Sequence, residues 1–200
     1  MADLPAEEGE YISMNTDRKI IAVTGLMGSG KSTVARILRD GHGFDLLKFA
    51  YPLKAMLKAL YDTCGLDAVT IERKIEGDLK EVPCEYLQGK TPRFAMQTLG
   101  TEWGRDLIDQ DLWVNMMKYR ILSHRGNVVI DDCRFANEAR VVKYLGGTVW
   151  RVERHQNIAV HISELGQADI QHDIGLGNFG DLRDLQQAVE TALSLTSPQL

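Results

Sequence analysis

This sequence contains few cysteines and no long apolar segment. Its three cysteines, Cys64, Cys84 and Cys133, form no C-x-x-C pair, which argues against a disulfide framework and a zinc site and is typical of a reducing cytoplasm. No apolar run approaches the length of a membrane span, and the acidic residues near the start are unlike a signal peptide. The net charge of −5 does not indicate a nucleic-acid polymer as partner. We therefore expect a cytoplasmic protein with neither a membrane nor a nucleic-acid partner.

Size and composition suit one globular domain. The 200 residues are 44% hydrophobic and 26% charged and contain no internal repeat, and a chain of this length can bury a sizeable core. Residues 1–17 are largely polar, and we expect a flexible, poorly ordered lead-in there. The prediction is a single domain over residues 18–195.

One glycine-rich segment carries a specific chemical signal. Residues 25–32 read G-x-x-x-x-G-K-S, and its glycines allow backbone conformations in which loop N–H groups point inward around an anion. Lys31 can reach the β- and γ-phosphates of a nucleoside triphosphate, and the Ser32 hydroxyl can bind Mg²⁺. The predicted triphosphate site consists of Gly25, Met27, Gly28, Ser29, Gly30, Lys31, Ser32 and Thr33.

The segments around this loop have the order that phosphate binding requires. Residues 19–24 are a β-branched apolar run typical of a buried parallel strand, and apolar positions recur at helical spacing after the loop. Further strands are predicted near residues 44–50, 127–132, 148–154 and 169–176, with helical patterns between them. This alternation predicts an α/β fold with a five-stranded, mostly parallel sheet and helices on both faces.

A helix predicted from Thr91 and Pro92 to about Ile108 has two different faces. At about 100° per residue, the apolar face comprises Met96, Leu99, Trp103 and Leu107. The polar face comprises Arg93, Gln97, Gly100, Thr101 and Gly104, with Arg105 at its edge. Because a glycine inside a helix costs about 1 kcal/mol relative to alanine, two glycines on the polar face indicate room for a ligand. Close packing against another helix is the alternative.

Two adjacent carboxylates end the strand predicted over residues 127–132. In P-loop enzymes an acidic group at the end of a neighbouring strand lies near the magnesium ion, a role that Asp131 or Asp132 can fill. Arg134 follows just past the same strand end, where ligands collect in open α/β sheets.

Four further segments resemble one enzyme family. They are residues 49–54 (FAYPLK), residues 89–105 (GKTPR, continuing to MQTLGTEWGR), residues 131–138 (DDCRFANE) and residues 161–164 (HISE). Together with the glycine-rich loop, they resemble the bacteriophage deoxynucleoside monophosphate kinases over roughly residues 19–185. The long middle segment is much more specific than the loop, which many unrelated enzymes share.

The resemblance implies a three-layer P-loop kinase fold in which about residues 51–125 form an inserted helical region that binds the acceptor. It implies transfer of the γ-phosphoryl group of ATP, with Mg²⁺, to a deoxynucleoside 5′-monophosphate. A phage origin and a role in DNA precursor synthesis in the host cytoplasm follow from it. The accepted bases and the formation of a homodimer stay open.

On this interpretation, Lys31, Arg134 and Asp132 are assigned to catalysis, with Arg134 stabilising charge on the transferred group. Ser32 with Asp132 is assigned to Mg²⁺, and Asp131 is the rival carboxylate.

The acceptor site predicted on the same interpretation comprises Lys54, Arg93, Gln97, Thr101, Trp103, Arg105, Asn137 and Glu138. Lys54, Arg93 and Arg105 are assigned to the 5′-phosphate, because a guanidinium can bind phosphate oxygens with two hydrogen bonds. Gln97 and Trp103 are assigned to the base. Core packing is the alternative for Trp103, and helix capping is the alternative for Asn137 and Glu138.

Two other functions fit parts of the pattern. Another small-molecule P-loop kinase, of the dephospho-coenzyme A or phosphomevalonate type, would share the sheet and the loop and differ in its acceptor pocket. A nucleotide switch that hydrolyses GTP would carry an Asn-Lys-x-Asp segment, which this sequence lacks.

Overall fold

The computed structural model describes residues 18–154 and 169–196. Its strands are β1 (Ile20–Thr24), β2 (Asp45–Leu47), β3 (Val128–Ile130), β4 (Thr148–Glu153) and β5 (Ile174–Gly177). They form one sheet in the order β2-β3-β1-β4-β5, and every neighbouring pair is parallel. The predicted α/β fold with a five-stranded parallel sheet is therefore confirmed. The segment with His161, Ser163 and Glu164 lies outside the described residues.

The helices connect these strands. They are α1 (Lys31–His42), α2 (Tyr51–Thr63), α3 (Ala68–Ile75), α4 (Pro92–Thr98), a π-helix (Leu99–Ile108), α5 (Leu112–Ser123), α6 (Ala136–Tyr144) and α7 (Leu182–Leu195), with short 3₁₀ turns at Asp78–Glu81 and Glu85–Leu87. Among the helices that the structure describes, none is both long and apolar enough to cross a membrane. The cysteines Cys64, Cys84 and Cys133 are all unpaired.

Each face of the sheet is covered by helices. Alternate strand residues such as Ile20 and Ile130 pack against α5 and α6 on one face, and residues such as Val23 and Trp150 pack against α1 and α7 on the other. Burying an aliphatic side chain contributes about 1.5–3 kcal/mol, so these two layers stabilise the strand ends from which the site is built.

A third apolar cluster lies in the helical segment between β2 and β3. It consists of Leu53, Leu57, Tyr61, Ile71, Ile75, Cys84, Met96 and Trp113. This segment thus has a core of its own, separate from the two layers that cover the sheet.

The helix predicted over residues 91–108 changes its winding at Leu99. Thr91 caps α4 by accepting a hydrogen bond from the Phe94 N–H at 3.1 Å, as predicted, but residues from Leu99 onward form the π-helix. A π-helix has i→i+5 hydrogen bonds and more residues per turn, so faces drawn at about 100° per residue do not persist along it. The predicted apolar face is accordingly wrong at Leu107, which is 76% exposed.

Candidate active site

The glycine-rich loop joins β1 to α1 in a conformation that requires its glycines. Gly25, Gly28 and Gly30 have φ angles of 138°, 77° and 113°, in the region that residues with a Cβ rarely adopt. A Cβ at Gly25 would lie 2.4 Å from the Val152 carbonyl oxygen, and one at Gly30 would lie 2.5 Å from the Asn178 side-chain nitrogen. The loop is thus wrapped closely at the end of the sheet and leads directly into the N-terminus of α1, where anions bind.

Lys31 lies across this loop. Its Nζ donates to the carbonyl oxygens of Gly25 and Leu26 at 2.6 and 2.8 Å. These bonds hold the ammonium group at the mouth of the loop, within the segment that would surround a triphosphate. Ser32, in the first turn of α1, is exposed to solvent.

Asn178, which follows β5, anchors the loop from outside. Its side-chain nitrogen donates to the Ser29 carbonyl oxygen at 2.8 Å, and its own N–H donates to the Glu153 carbonyl oxygen at 2.7 Å. Sequence reasoning missed this residue, since a single asparagine after an edge strand carries no signal of its own.

The two carboxylates after β3 have different surroundings. Asp132 accepts hydrogen bonds from the N–H groups of Phe49 and Ala50 at 2.9 and 3.0 Å, so both of its oxygens hold the chain that leaves β2. Burial raises the pKa of Asp132, although these two N–H donors oppose the shift. Asp132 therefore has a structural task that the sequence did not reveal.

Asp131 has a side-chain oxygen available for a ligand. Its buried Oδ1 makes no hydrogen bond within the described residues, and the nearest cation, the Lys48 ammonium, lies 3.7 Å away. A buried carboxylate oxygen without a hydrogen bond is costly unless a ligand completes it. The geometry thus favours Asp131, the rival in the sequence analysis, over Asp132 as a Mg²⁺ ligand.

Two residues of the predicted acceptor site lie in a cluster of charges beside the ends of β2 and α3. The Lys54 ammonium contacts both Glu76 oxygens at 2.7 and 2.8 Å, and the Arg93 guanidinium donates to the Glu81 carboxylate. Lys80 belongs to the same cluster, because the charges of Lys54 and Arg93 act on it.

Arg105 is placed elsewhere, in a buried network with Glu138. Its guanidinium donates to Glu138 Oε1 at 2.7 Å and lies 4.0 Å from the centre of the Phe135 ring. Glu138 Oε2 accepts the N–H groups of Arg134 and Phe135 at 2.7 and 3.2 Å. Burial raises the pKa of Glu138 to about 7, against the pull of these donors. Glu138 therefore caps α6, the alternative role considered for it.

Asn137 also holds this network together. Its amide nitrogen donates to Asp111 Oδ1 at 2.7 Å and to the Gln110 carbonyl oxygen at 3.3 Å, and its oxygen accepts the Glu138 N–H at 3.0 Å. Arg105 donates to the same Gln110 oxygen at 3.1 Å. The three predicted residues Arg105, Asn137 and Glu138 thus meet one another, but in a set of contacts distinct from those of Lys54 and Arg93.

One glycine of the predicted polar face, Gly104, has a packing role. A Cβ at Gly104 would lie 2.4 Å from the Trp113 ring, and the Gly100 carbonyl oxygen accepts the Trp113 indole N–H at 2.8 Å. Close packing against the neighbouring helix, the alternative, therefore accounts for Gly104. A Cβ at Gly100 would only touch Leu53 at 3.4 Å, so the interpretation of Gly100 as room for a ligand stays a prediction. Trp103 contacts the same indole, with ring centres 6.1 Å apart, and remains 39% exposed.

The remaining predicted side chains point toward solvent. Gln97, Thr101 and Arg134 are exposed. Their assigned roles at the base and at the transferred group stay predictions.

Comparisons with known proteins identify the family to which this chain belongs. A family model described as deoxynucleotide monophosphate kinase matches residues 70–189. A protein of Acanthamoeba polyphaga mimivirus whose description names the same activity is 34% identical over 149 residues, which are 68% of this chain and 74% of that protein. The chain belongs to the deoxynucleotide monophosphate kinase family. It is therefore an enzyme of the kinase class that acts on deoxynucleotide monophosphates.

Two other similarities are more limited. A cytidylate kinase of Thermotoga sp. (strain RQ2) is 39% identical over 70 residues, which are 35% of this chain and 31% of that enzyme. The crystal structure of TT1252 from Thermus thermophilus has a TM-score of 0.50 and 16% identity, and the match covers 89% of this chain and 97% of that one. The latter similarity concerns the fold alone.

In this deoxynucleotide monophosphate kinase, two basic residues that the sequence analysis did not name lie close to two that it did. Lys48 and Lys80 lie with the predicted Lys54 and Arg93, and the charge of each acts on the same cluster. Lys48 follows β2 directly, at the carboxyl end of a parallel strand, where ligands collect. This position could have been used to predict Lys48 as a site residue. Lys80 lies in a short 3₁₀ turn that no periodicity indicates.

Proposed function

We propose that this kinase transfers the γ-phosphoryl group of ATP to the 5′-phosphate of a deoxynucleoside monophosphate, between the loop at residues 25–32 and the cluster around Lys54. One observation carries this proposal, the strand order β2-β3-β1. Because these strands are parallel neighbours, their carboxyl ends lie side by side. The same end of the sheet therefore carries the loop after β1, Asp131 after β3 and Lys48 after β2. Donor site, carboxylate and basic cluster therefore converge.

The donor's phosphates are assigned to the loop and to Lys31. The N-terminus of α1 and the loop N–H groups favour negative charge, and Lys31 exchanges its two carbonyl partners for β- and γ-phosphate oxygens. The other loop residues in this proposal are Gly25, Met27, Gly28, Ser29, Gly30, Ser32 and Thr33.

Mg²⁺ would be held by the Ser32 hydroxyl and by Asp131, whose Oδ1 receives no hydrogen bond from residues 18–154 or 169–196. Magnesium binds oxygen ligands and keeps several waters, so one carboxylate with the phosphates suffices. When bound, the ion neutralises charge on the phosphates. Asp132 supports this site indirectly by fixing the chain after β2.

The acceptor is assigned to the basic cluster and the surface beside it. Lys54 and Arg93 bind the 5′-phosphate, while Gln97, Thr101 and Trp103 line the space for the base. Arg105, Asn137 and Glu138 hold the π-helix against the first turn of α6. Phosphoryl transfer depends mainly on positioning and charge neutralisation, and Arg134, beside this network, supplies positive charge at the transferred group.

The test is acceptor-dependent ADP release from ATP and Mg²⁺, measured with dTMP, dGMP, dCMP, dAMP and their ribonucleotide counterparts. We expect Lys31→Ala to abolish turnover with an unchanged circular dichroism spectrum. Arg39→Ala is the matched control, because Arg39 lies on the same helix and pairs with exposed Asp40. Retained turnover in Lys31→Ala, or ADP release that needs no monophosphate, contradicts the proposal.

The proposal also includes the enzyme's metabolic role and its cellular location. We place the reaction in DNA precursor synthesis in the cytoplasm of a phage-infected cell, because four segments of the sequence resemble the bacteriophage enzymes. The three unpaired cysteines are consistent with a reducing compartment.

A further inference from the structure

Two ion pairs converge on the short segment between α3 and α4. Glu76, directly after α3, binds the Lys54 ammonium through both oxygens. Glu81, at the end of the turn Asp78–Glu81, binds Arg93 in the first turn of α4. The two cations assigned to the acceptor phosphate are thus each held by a carboxylate of one six-residue stretch, and Lys80 lies within that stretch.

Lys80 is a half-buried cation among other cations. Within residues 18–154 and 169–196, its ammonium group has no hydrogen bond or ion pair. Burial and then the charges of Lys54, Arg93 and Lys48 lower the pKa of Lys80, and Glu76 alone acts in the opposite direction. Positive charges held together in a partly buried place repel one another, so an anion that binds there relieves an unfavourable energy.

The carboxylate of Glu76 is held by the same cations. Burial opposes its ionisation, but the hydrogen bond from Lys54 and the charges of Lys54, Lys48 and Lys80 together keep the pKa of Glu76 below its usual value. Glu76 therefore remains an anion at neutral pH and a competitor for any other anion that these cations bind.

The Lys54–Glu76 ion pair is not needed to hold α2 against α3. One turn away, Lys58 of α2 and Glu72 of α3 make a second pair at 2.6 Å, and Lys58 is 41% exposed whereas Lys54 is 15% exposed. The outer pair already joins α2 to α3. The inner pair differs from it by lying beside Lys80 and Lys48.

Lys48 shows where the cluster of Lys54, Lys80 and Arg93 lies relative to the carboxylate assigned to Mg²⁺. Its ammonium lies 3.7 Å from Asp131 Oδ1, and its charge acts on both Glu76 and Lys80. An anion bound by the cluster therefore lies next to the carboxylate assigned to Mg²⁺, which is where an accepting phosphate must be.

We propose that Lys80 is a third cation for the 5′-phosphate of the acceptor, and that Glu76 and Glu81 compete with this phosphate for Lys54 and Arg93. The inference rests on the function proposed above. A phosphate monoester dianion carries more charge than a carboxylate and offers three oxygens, so it displaces the two carboxylates and satisfies Lys80 as well. The carboxylates then weaken acceptor binding and keep the cations from holding other anions.

The decisive experiment compares KM for the best deoxynucleoside monophosphate with KM for ATP in four variants. Lys80→Met is expected to raise the acceptor KM about tenfold, the loss of one charge-assisted contact, with less than about a twofold change for ATP. Lys58→Met is its matched control. Glu76→Gln is expected to lower the acceptor KM several-fold, and Glu72→Gln, which alters the outer pair on the same two helices, is its control.

Three outcomes overturn the inference. In the first, Lys80→Met has the same kinetics as Lys58→Met. In the second, the acceptor KM of Glu76→Gln equals that of Glu72→Gln. In the third, the acceptor KM of Glu76→Gln is higher than that of Glu72→Gln. Should Glu76→Gln unfold, Glu81→Gln gives the same test, because it leaves the Lys54–Glu76 pair in place.

Lys54→Met and Arg93→Ala separate this inference from the proposed function. If they raise the acceptor KM while Lys80→Met does not, the further inference fails and the acceptor site stands. If neither of them raises it, the proposed acceptor site itself is wrong.

Discussion

Arg105 donates a hydrogen bond of 2.7 Å to Glu138, and their side chains are only 12% and 4% exposed. The second Glu138 oxygen holds the backbone N–H of Arg134. A single carboxylate thus joins the π-helix to the segment that carries the exposed Arg134 side chain. Disturbing Glu138 should therefore affect both stability and the placement of Arg134.

The stability of the fold should depend on pH through Glu138. Burial raises its pKa from the usual 4.5 to about 7, so between these values the folded chain binds more protons than the unfolded chain, and stability falls as pH rises. Between pH 5.5 and 8.5 this contribution amounts to about 2 kcal/mol. Glu138→Gln should lose that part of the pH dependence in urea unfolding curves. An equal change in both proteins would show that Glu138 titrates in its ordinary range.

Asp131 and Asp132 should respond differently to amide substitution. Asp131→Asn is expected to raise the Mg²⁺ concentration for half-maximal activity at least tenfold while stability changes little, because Oδ1 has no hydrogen bond to lose among the residues that the structure describes. Asp132→Asn replaces one acceptor of the Phe49 and Ala50 N–H groups by a donor, which should cost about 1–3 kcal/mol of stability. Both variants are measured by magnesium titration and by urea unfolding. A larger magnesium effect in Asp132→Asn would restore it as the metal ligand.

Gly104 should tolerate no side chain. In Gly104→Ala the added Cβ would meet the Trp113 ring at 2.4 Å, and we expect a loss of about 1–3 kcal/mol from overpacking. Gly41→Ala is the control, because Gly41 lies in α1 with open space around it and alanine there should add up to about 1 kcal/mol. Thermal unfolding of both variants checks this pair, and equal stabilities would contradict the packing role of Gly104.

Asn178 should affect the donor and spare the acceptor. Asn178→Ala removes the hydrogen bond to the Ser29 carbonyl oxygen, so we expect KM for ATP to rise about tenfold, the usual cost of one such bond at a binding loop, with the monophosphate KM nearly unchanged. Exposed Asn115 on α5 provides the control, Asn115→Ala. If the KM for the monophosphate rises equally, Asn178 acts on more than the loop.

Sequence patterns predicted those elements whose structure is determined by residues close together in the sequence. The strand, loop and helix around Lys31 follow from β-branched residues, glycines and helical spacing within a short stretch. The helix α3 has weaker local signals, since Asp67 caps it and Ile71 and Ile75, about one turn apart, are its only two buried residues.

Other features depend on contacts that no local pattern contains. The change to a π-helix at Leu99 accompanies the packing of Gly104 on Trp113, and the tasks of Asp132 and Asn178 come from backbone groups distant in sequence. The partners of Arg105 and the charged surroundings of Lys80 likewise required the assembled fold. Residue types in the site were thus predictable, whereas their division between ligand binding and support was not.

The position of β1 in the middle of the sheet bears on how the chain folds during its synthesis. Of the five strands in the described sheet, β1 is synthesised first, and it pairs with β3 and β4 through register pairs such as Ile20 with Val128 and Ala22 with Val149. Its hydrogen bonds thus wait for residues made much later, and contacts of such separation slow folding. Meanwhile α2, α3 and α4 can collapse on their own cluster. The nascent chain should therefore order its helical segment first, and the loop at residues 25–32 should reach its final conformation only after β4 is complete, because Gly25 packs on Val152.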